Sequence, residues 1–284
     1  MPEREPDSVA HDPTIPSFEI GGIPVSATGM AGLVEAVGRR LAAGPAQPGS
    51  FVVFRDAHGV VRAQTDAALR AAHHDALLVC ADGRPLSWIG RWRGLSTLQQ
   101  VPGIEAVEAV CRAGAAAGWR HYFLGGAEGV ADLLATTMRA RIPGLRVAGV
   151  ETPPFRPLDT AEIEAMRARI RESGAQIVWV GLGTPKQELF MAAHAPHLPG
   201  TIAMGVGAAF DVATGRIPRA PRLLQIAGLE WAYRLAREPR RLWRRYLDTI
   251  PRFLLIAARD ALSARTAPRP SAPGASGRTG SSAA

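Results

Sequence analysis

The chain has 284 residues, 47% of them hydrophobic, with a net charge of +8 and an isoelectric point near 10.7. That length supports one sizeable core, or a main domain with an appendage, and the cationic excess implies an anionic partner: nucleic acid, anionic lipid or a phosphorylated substrate. Two cysteines, Cys80 and Cys111, exclude a disulfide framework or a cysteine metal cluster, and no stretch approaches the ~18 consecutive apolar residues of a spanning helix.

Residues 1–16 begin MPEREPDSVAHDP, which is polar, contains proline and lacks the apolar segment of a signal peptide. They read as a loose arm, and the chain as cytoplasmic. Over residues 17–215 short apolar runs alternate with longer amphipathic ones. FVVF (51–54), ALLVC (76–80), HYFLG (121–125), LRVAGV (145–150), QIVWVGL (176–182) and TIAMGVG (201–207) read as strands, each apolar on both faces as in a covered parallel sheet. Segments 30–43, 60–73, 103–118, 127–141, 160–173 and 186–195 read as helices. Asp159 and Glu162 have capping-box spacing, and Gly118 and Gly174 stand where helices stop. The alternation predicts an α/β layered domain with a mainly parallel sheet, whose ligands bind beyond the carboxyl ends of the strands.

The composition changes at residue 216. Ten arginines face three acids between Arg216 and Arg252, and Leu242, Tyr246, Ile250, Phe253 and Ala257 form a stripe at helical spacing. Pro251 should kink or divide this region, 216–264. Two readings fit it equally: a basic amphipathic helix for an anionic membrane surface, or a helix packing its stripe on the main domain. An exposed apolar stripe also suits a homo-oligomer interface. Residues 265–284, RTAPRPSAPGASGRTGSSAA, have too few apolar residues to offset the entropy of ordering and read as a disordered tail.

Four segments at strand ends carry the candidate chemistry: CADGRP (80–85), FLGGAEG (123–129), GLGTPKQE (181–188) and GVGAAFD (205–211). Glycines there let a backbone approach a phosphate, and a following helix N-terminus offers N–H groups. Gly125, Gly126, Gly181, Gly183, Gly205 and Gly207 together suggest a nucleotide or sugar-phosphate crevice, although none sits in a Walker A loop or a full G-x-G-x-x-G. Asp82, at a strand end before Gly83, suits a general base, with a turn or cap aspartate as the plainer reading. Lys186 is the only lysine among 33 basic side chains. A compact ammonium at a helix start could reach a phosphate where a planar guanidinium would not fit. No Asp-x-Asp occurs, and His194 and His197 have no third ligand beside them, so no metal site and no cofactor are expected. His58 reads as a structural histidine, His73 and His74 as surface residues and Cys80 as core. The tryptophans form no regular stacking platform, and the basic region carries no DNA- or RNA-binding motif, so nucleic acid is not the expected partner.

Taken together, ADGRPLSW (81–88), YFLGGAEGVA (122–131), GLGTPKQE (181–188), GVGAAFDVATGRIPRAP (205–221) and GLEWAYRLAREPRRLWRRYL (228–247) resemble the WecB/TagA/CpsF glycosyltransferases over about residues 18–258. The resemblance implies a Rossmann-like core and a C-terminal, membrane-contacting appendage that closes the active site. It implies transfer of a sugar, such as N-acetylmannosamine or its uronic acid, from a UDP-sugar donor to a polyprenyl-diphosphate-linked acceptor. The anomeric centre inverts and no metal is needed, at the inner face of the plasma membrane, in cell-surface polysaccharide synthesis. By the same resemblance Asp82 is the base, Gln187 lines the donor pocket, and Arg234, Arg241 and Arg244 hold diphosphate. Where the family commonly has Thr-x-Asn this chain has Phe54-Arg55-Asp56, which places Asp56 at the donor, and Gln100 replaces a residue that is often basic. Asp82 and the arginines also fit the chemistry: one group takes the acceptor proton while guanidiniums stabilise departing diphosphate. A competing reading keeps the fold but makes the protein a catalytically altered UDP-sugar-binding or regulatory module.

Overall fold

The structure is a computed structural model that describes residues 11–266; the expected disordered segments fall mainly on residues 1–10 and 267–284, outside the described residues. The chain opens with a hairpin, β1 (Ser17–Ile20) and β2 (Ile23–Ser26), that the sequence reading missed. Helix α1 (Met30–Ala42) leads to β3 (Ser50–Arg55), α2 (Ala57–Ala63), α3 (Ala67–His74), β4 (Leu78–Ala81) and α4 (Arg84–Trp92). Then come α5 (Gly103–Ala117), β5 (Arg120–Gly125), α6 (Val130–Arg141), β6 (Arg146–Glu151), α7 (Thr160–Ser173), β7 (Ile177–Gly181), α8 (Lys186–His194), β8 (Ile202–Gly205) and α9 (Ala209–Ala213). The appendage is α10 (Arg222–Ile226), α11 (Glu230–Arg237) and α12 (Pro239–Thr266).

Six strands form one parallel sheet in the order β4-β3-β8-β7-β5-β6. Alternation along each strand divides the core. Val52, Phe54, Phe123, Trp179 and Met204 face α1, α5, α6 and α9, while Phe51, Val53, Leu124, Val178 and Ala203 face α7 and α8. Both faces are covered, which is why the strands read as unbroken apolar runs. Chain direction reverses between β5, which leads outward to β6, and β7, which leads inward to β8. Adjacent strands that send their connections opposite ways open a crevice at their carboxyl ends.

The capping box of α7 is present, with Asp159 accepting from the Glu162 N–H and Glu162 accepting in return. Gly118 and Gly174 close α5 and α7 with φ of 76° and 63°, the left-handed conformation that glycine adopts without a Cβ penalty. Several expectations are corrected. Segment 60–73 is two helices, because Asp66 caps a second start by accepting from the Leu69 N–H. His73 is buried, one turn after Leu69 on the same face, and its Nδ1 meets the Leu69 carbonyl at 2.6 Å. Residues 11–16 are fastened: the Asp12 N–H donates to the Leu77 carbonyl, and its carboxylate takes Arg39 at 2.8 Å. Pro251 does not divide α12; it lies on the exposed side, where the carbonyl it leaves unpaired one turn earlier can meet water.

The stripe on α12 packs on the main domain through Leu242, Phe253 and Ala257, while its Ile250 turns to the exposed side. Phe253 joins Phe18, Ile20, Val25, Val60, Val61, Leu86 and Leu98 in a small core between the hairpin, α2 and α4. Leu242 and Thr249 are buried on the same face, and Asp260 accepts from the Gly21 N–H at 2.6 Å. A second apolar face stays exposed: Trp243, Leu247, Ile250, Leu254, Leu255 and Leu262.

Candidate active site

The carboxyl edge of the sheet rests on one buried ion pair. Arg55, the last residue of β3, reaches Glu188 of α8 at 2.7 Å, with the two side chains 1% and 0% exposed. The same Glu188 oxygen accepts from Thr184 Oγ1 at 2.9 Å and Gln187 Nε2 at 3.2 Å. Gly59 makes room for the guanidinium; a side chain there would run into Arg55. Two charges this deep hold each other in place, and removing either would strand its partner at a cost of about 3–5 kcal/mol.

Gln187 is buried, and its amide is spent on the protein. Its Nε2 donates to the Gly205 carbonyl at 2.9 Å and its Oε1 accepts from the Gly183 N–H at 3.2 Å. It therefore ties the turn after β7 to the end of β8. Gly125 and Gly181 stand opposite each other on paired β5 and β7, at the point where the connections diverge. A Cβ on Gly125, whose φ is 112°, would lie 2.8 Å from the Gly181 carbonyl oxygen. The N–H groups of Gly126, Gly183 and Gly207 already donate within the protein. Gly126 and Gly181 make room for Phe210, and Gly205 and Gly207 for Gln187, so these glycines serve internal packing; of the six, Gly183 alone has open space where a side chain would stand. Lys186 is exposed at the first residue of α8 and makes no hydrogen bond or ion pair among the described residues.

Asp82 follows β4, three strands from β7. It is two strands from β8, and Gly103, which meets its carboxyl, packs beside Val206 at the end of β8. The Asp82 backbone N–H donates to the Arg55 carbonyl at 2.9 Å, so the β3–β4 ladder sets its position. One carboxyl oxygen accepts from the Gly103 N–H at 3.2 Å, and Gln100 Nε2 donates to its carbonyl at 2.7 Å. Burial raises the carboxyl to about 6, helped by the charges of Asp56 and Glu230; the Gly103 N–H and Arg234 pull the other way. A carboxylate tuned this close to neutrality can take a proton from a hydroxyl and release it again. Asp56 caps α2 through the Gly59 N–H at 2.8 Å, leaving its other oxygen to face Arg245 at 3.7 Å.

The appendage brings its cations here unequally. The charge of Arg234 is felt at Asp82, and its guanidinium lies 3.4 Å from Glu230. Arg244 turns outward, over the ring of Trp243 at 5.3 Å. The neighbouring Arg245 faces the strand ends instead. It was missed in the sequence, although it shares a helix face with Leu242 and Thr249, three residues before and four after it. The side chain of Arg241 lies outside the described residues. His58 is half-buried and structural: its Nδ1 sits 3.0 Å from Thr249 Oγ1, pinning α12 to α2, and burial followed by the charge of Arg245 holds it below the ordinary histidine value. Among the described residues no three His, Cys, Asp or Glu side chains gather as metal ligands, and no helix is long and apolar enough to cross a membrane.

One edge of the sheet thus gathers a carboxylate raised towards neutrality, glycine-rich turns at the reversal of the sheet and a cationic helical cover. The model of the glycosyl transferase WecG/TagA/CpsF family matches residues 18–267, which takes in the sheet, the crevice and all three appendage helices. The chain therefore belongs to the WecG/TagA/CpsF family, the glycosyltransferases of cell-surface polysaccharide synthesis.

Proposed function

We propose that this protein transfers a hexose, such as N-acetylmannosamine or its uronic acid, from a UDP-sugar to a polyprenyl-diphosphate-linked acceptor, inverting the anomeric centre without a metal ion. The observation that carries this reading is the placement of Asp82, between the glycine crevice on one side and α4 with the appendage on the other. The carboxylate takes the proton of the acceptor hydroxyl as that oxygen attacks the anomeric carbon, and UDP leaves on the opposite face. The turns carrying Gly125, Gly126, Gly181, Gly183, Gly205 and Gly207 border the donor diphosphate, which lies against the open backbone at Gly183, and Gln187 holds two of these turns in register. Lys186, at the mouth of that crevice, meets phosphate oxygens, and Asp56 borders the donor sugar.

Arg234, with Arg241 on the appendage and Arg245 beside Asp56, balances the charge of the departing diphosphate; Arg244, turned outward over Trp243, belongs to the other face of α12. Guanidiniums suit that task because they bind phosphate oxygens in pairs and do not deprotonate. The exposed face of α12, flanked by Arg240, Arg244 and Arg252, rests on an anionic membrane at its cytoplasmic side, where each basic residue contributes about 1 kcal/mol.

The test is transfer from a panel of UDP-sugars to a short-chain prenyl-diphosphate-linked sugar, with and without EDTA. Turnover in EDTA, lost in Asp82→Asn, is the expected result. Strict dependence on a divalent cation, or full turnover by Asp82→Asn, contradicts the mechanism. For the membrane face, Leu247→Glu/Leu254→Glu should release the protein from anionic liposomes, and undiminished binding would remove α12 from that role.

A further inference from the structure

A cleft of about 590 Å³ opens beside Asp82, between α4, the segment before α5 and the start of the appendage. Gln100, which holds the Asp82 carbonyl, and Glu230, whose charge reaches the Asp82 carboxyl, both line it, so the cleft borders the segment that carries Asp82. It lies on the α4 side of Asp82, opposite the glycine crevice across the sheet edge.

Four arginines line this cleft: Arg84, Arg91, Arg219 and Arg222. Arg219 is neutralised by Glu105 at 2.5 Å, and Glu230 is occupied by Arg234. Arg84 donates its Nε to the Gln225 carbonyl at 2.9 Å, leaving its terminal nitrogens available. The side chains of Arg91 and Arg222 are exposed and make no hydrogen bond or ion pair among the described residues. Three guanidiniums without a carboxylate partner therefore converge on one concave surface. Such convergence is unfavourable in the empty protein and favourable around a multivalent anion.

The cleft also has an apolar lip. Arg84, Trp88 and Arg91 lie at helical spacing along one face of α4, and Trp92 follows one turn after Trp88. Trp88 and Trp92 are 54% and 64% exposed, and Leu223, next to Arg222, is 80% exposed. The turn from α10 to α11 passes close over this face at Gly228, whose φ is 73°. A Cβ there would lie 3.0 Å from Arg84 and 3.2 Å from Trp88, narrowing the cleft.

We infer that this cleft holds the diphosphate head of the lipid-linked acceptor, with Arg84, Arg91 and Arg222 as its ligands and Trp88 and Trp92 carrying the first isoprene units. The inference rests on the glycosyl-transfer reading for its choice of diphosphate. It separates two phosphate sites that the charge of the chain alone runs together: the donor's, at the glycine crevice, and the acceptor's, at α4. Asp82 lies between them, where the sugar hydroxyl attached to the bound diphosphate would meet the anomeric carbon.

The test is calorimetric binding of three probes to the full chain: inorganic pyrophosphate, farnesyl diphosphate and UDP. Arg91→Gln/Arg222→Gln removes two exposed charges and no contact within the described residues, so the fold should survive; Arg139→Gln on α6 serves as the charge control. The double variant should bind pyrophosphate and farnesyl diphosphate at least about tenfold more weakly, with UDP affinity unchanged. Trp88→Ala/Trp92→Ala should weaken farnesyl diphosphate and leave pyrophosphate alone. Loss of UDP binding in the arginine variant would make this the donor's site and overturn the inference, as would a wild-type protein that binds neither pyrophosphate nor farnesyl diphosphate. Binding needs no turnover, so the two readings fail separately. Arginine-dependent farnesyl diphosphate binding without any sugar transfer would leave the cleft standing and remove the transferase mechanism. Normal transfer with an unchanged acceptor KM in the double variant would do the reverse.

Discussion

The sheet's carboxyl edge and the C-terminal helices meet at the same carboxylate and are held in different ways. The edge is fixed from beneath by apolar layers on both faces and by a sealed Arg55–Glu188 pair. The appendage buries no residue of α11 and attaches through a narrow line on α12, Leu242, Thr249 and Phe253, aided by His58 and the Asp260 bond to the Gly21 N–H. The edge should therefore stay fixed while the appendage loosens first, a stability difference expected between a core and a thinly attached helix. What the appendage contributes at Asp82 is charge: Arg234 and Glu230 act on it from α11 with opposite sign.

Substitutions should separate these two regions. The largest effect belongs to the edge: Asp82→Asn keeps the shape of the side chain and should lower kcat by about 10²–10⁴ with its melting temperature preserved. Glu188→Gln leaves Arg55 charged and unpaired, so chemical denaturation should report a global loss of about 3–5 kcal/mol. Phe253→Ala removes the main apolar anchor of α12, worth about 2–3 kcal/mol of burial. Hydrogen exchange should show that loss in α12 and the β1–β2 hairpin, with the six-stranded sheet unaffected. Equal loosening of the sheet would mean that the appendage is part of the main cooperative unit. The smallest effect is electrostatic. Asp56→Asn keeps the cap on α2 and removes a charge that raises Asp82, so the acid limb of the rate profile should move to lower pH.

Acidification offers a further contrast. Burial holds His73 near 3 and His121 near 4, below their ordinary value of 6.5. The unfolded chain therefore takes up those protons first, and stability present above pH 6.5 is lost as pH falls towards 4, by up to about 1.4 kcal/mol per pH unit for each histidine. Asp82 has the opposite sign: raised from 3.8 to about 6, it contributes stability below 3.8 that is lost as pH rises through about 6.

The sheet was legible because five of its strands are largely buried on both faces, and the edge strand β6, though only half-buried, is also an apolar run between turns. The hairpin was not: SFEIGGIPVS is short and its Gly-Gly turn leaves little alternation to read. Helix α4 was hidden inside the motif that carries Asp82, where Arg84 and Pro85 look like turn residues although they open a helix. Asp82 and the glycines could be nominated because they follow apolar runs, and their common edge follows from strand order. The ion pair beneath them joins residues 133 apart in the chain, a pairing no local pattern encodes. The same limit applies to Arg244 and Arg245, adjacent in sequence and about 100° apart on a helix, which only the packing of α12 tells apart.

In the proposed mechanism Asp82 is the base, raised by burial and lying between two phosphate sites. That role is tested most directly by the pH dependence of kcat/KM for transfer from a UDP-sugar to a prenyl-diphosphate-linked acceptor. The wild-type enzyme should lose activity below pH about 6 with a slope of one proton, and the residual activity of Asp82→Asn should lack that limb. A limb near 6 that persists in Asp82→Asn would place the titrating base elsewhere and contradict the account.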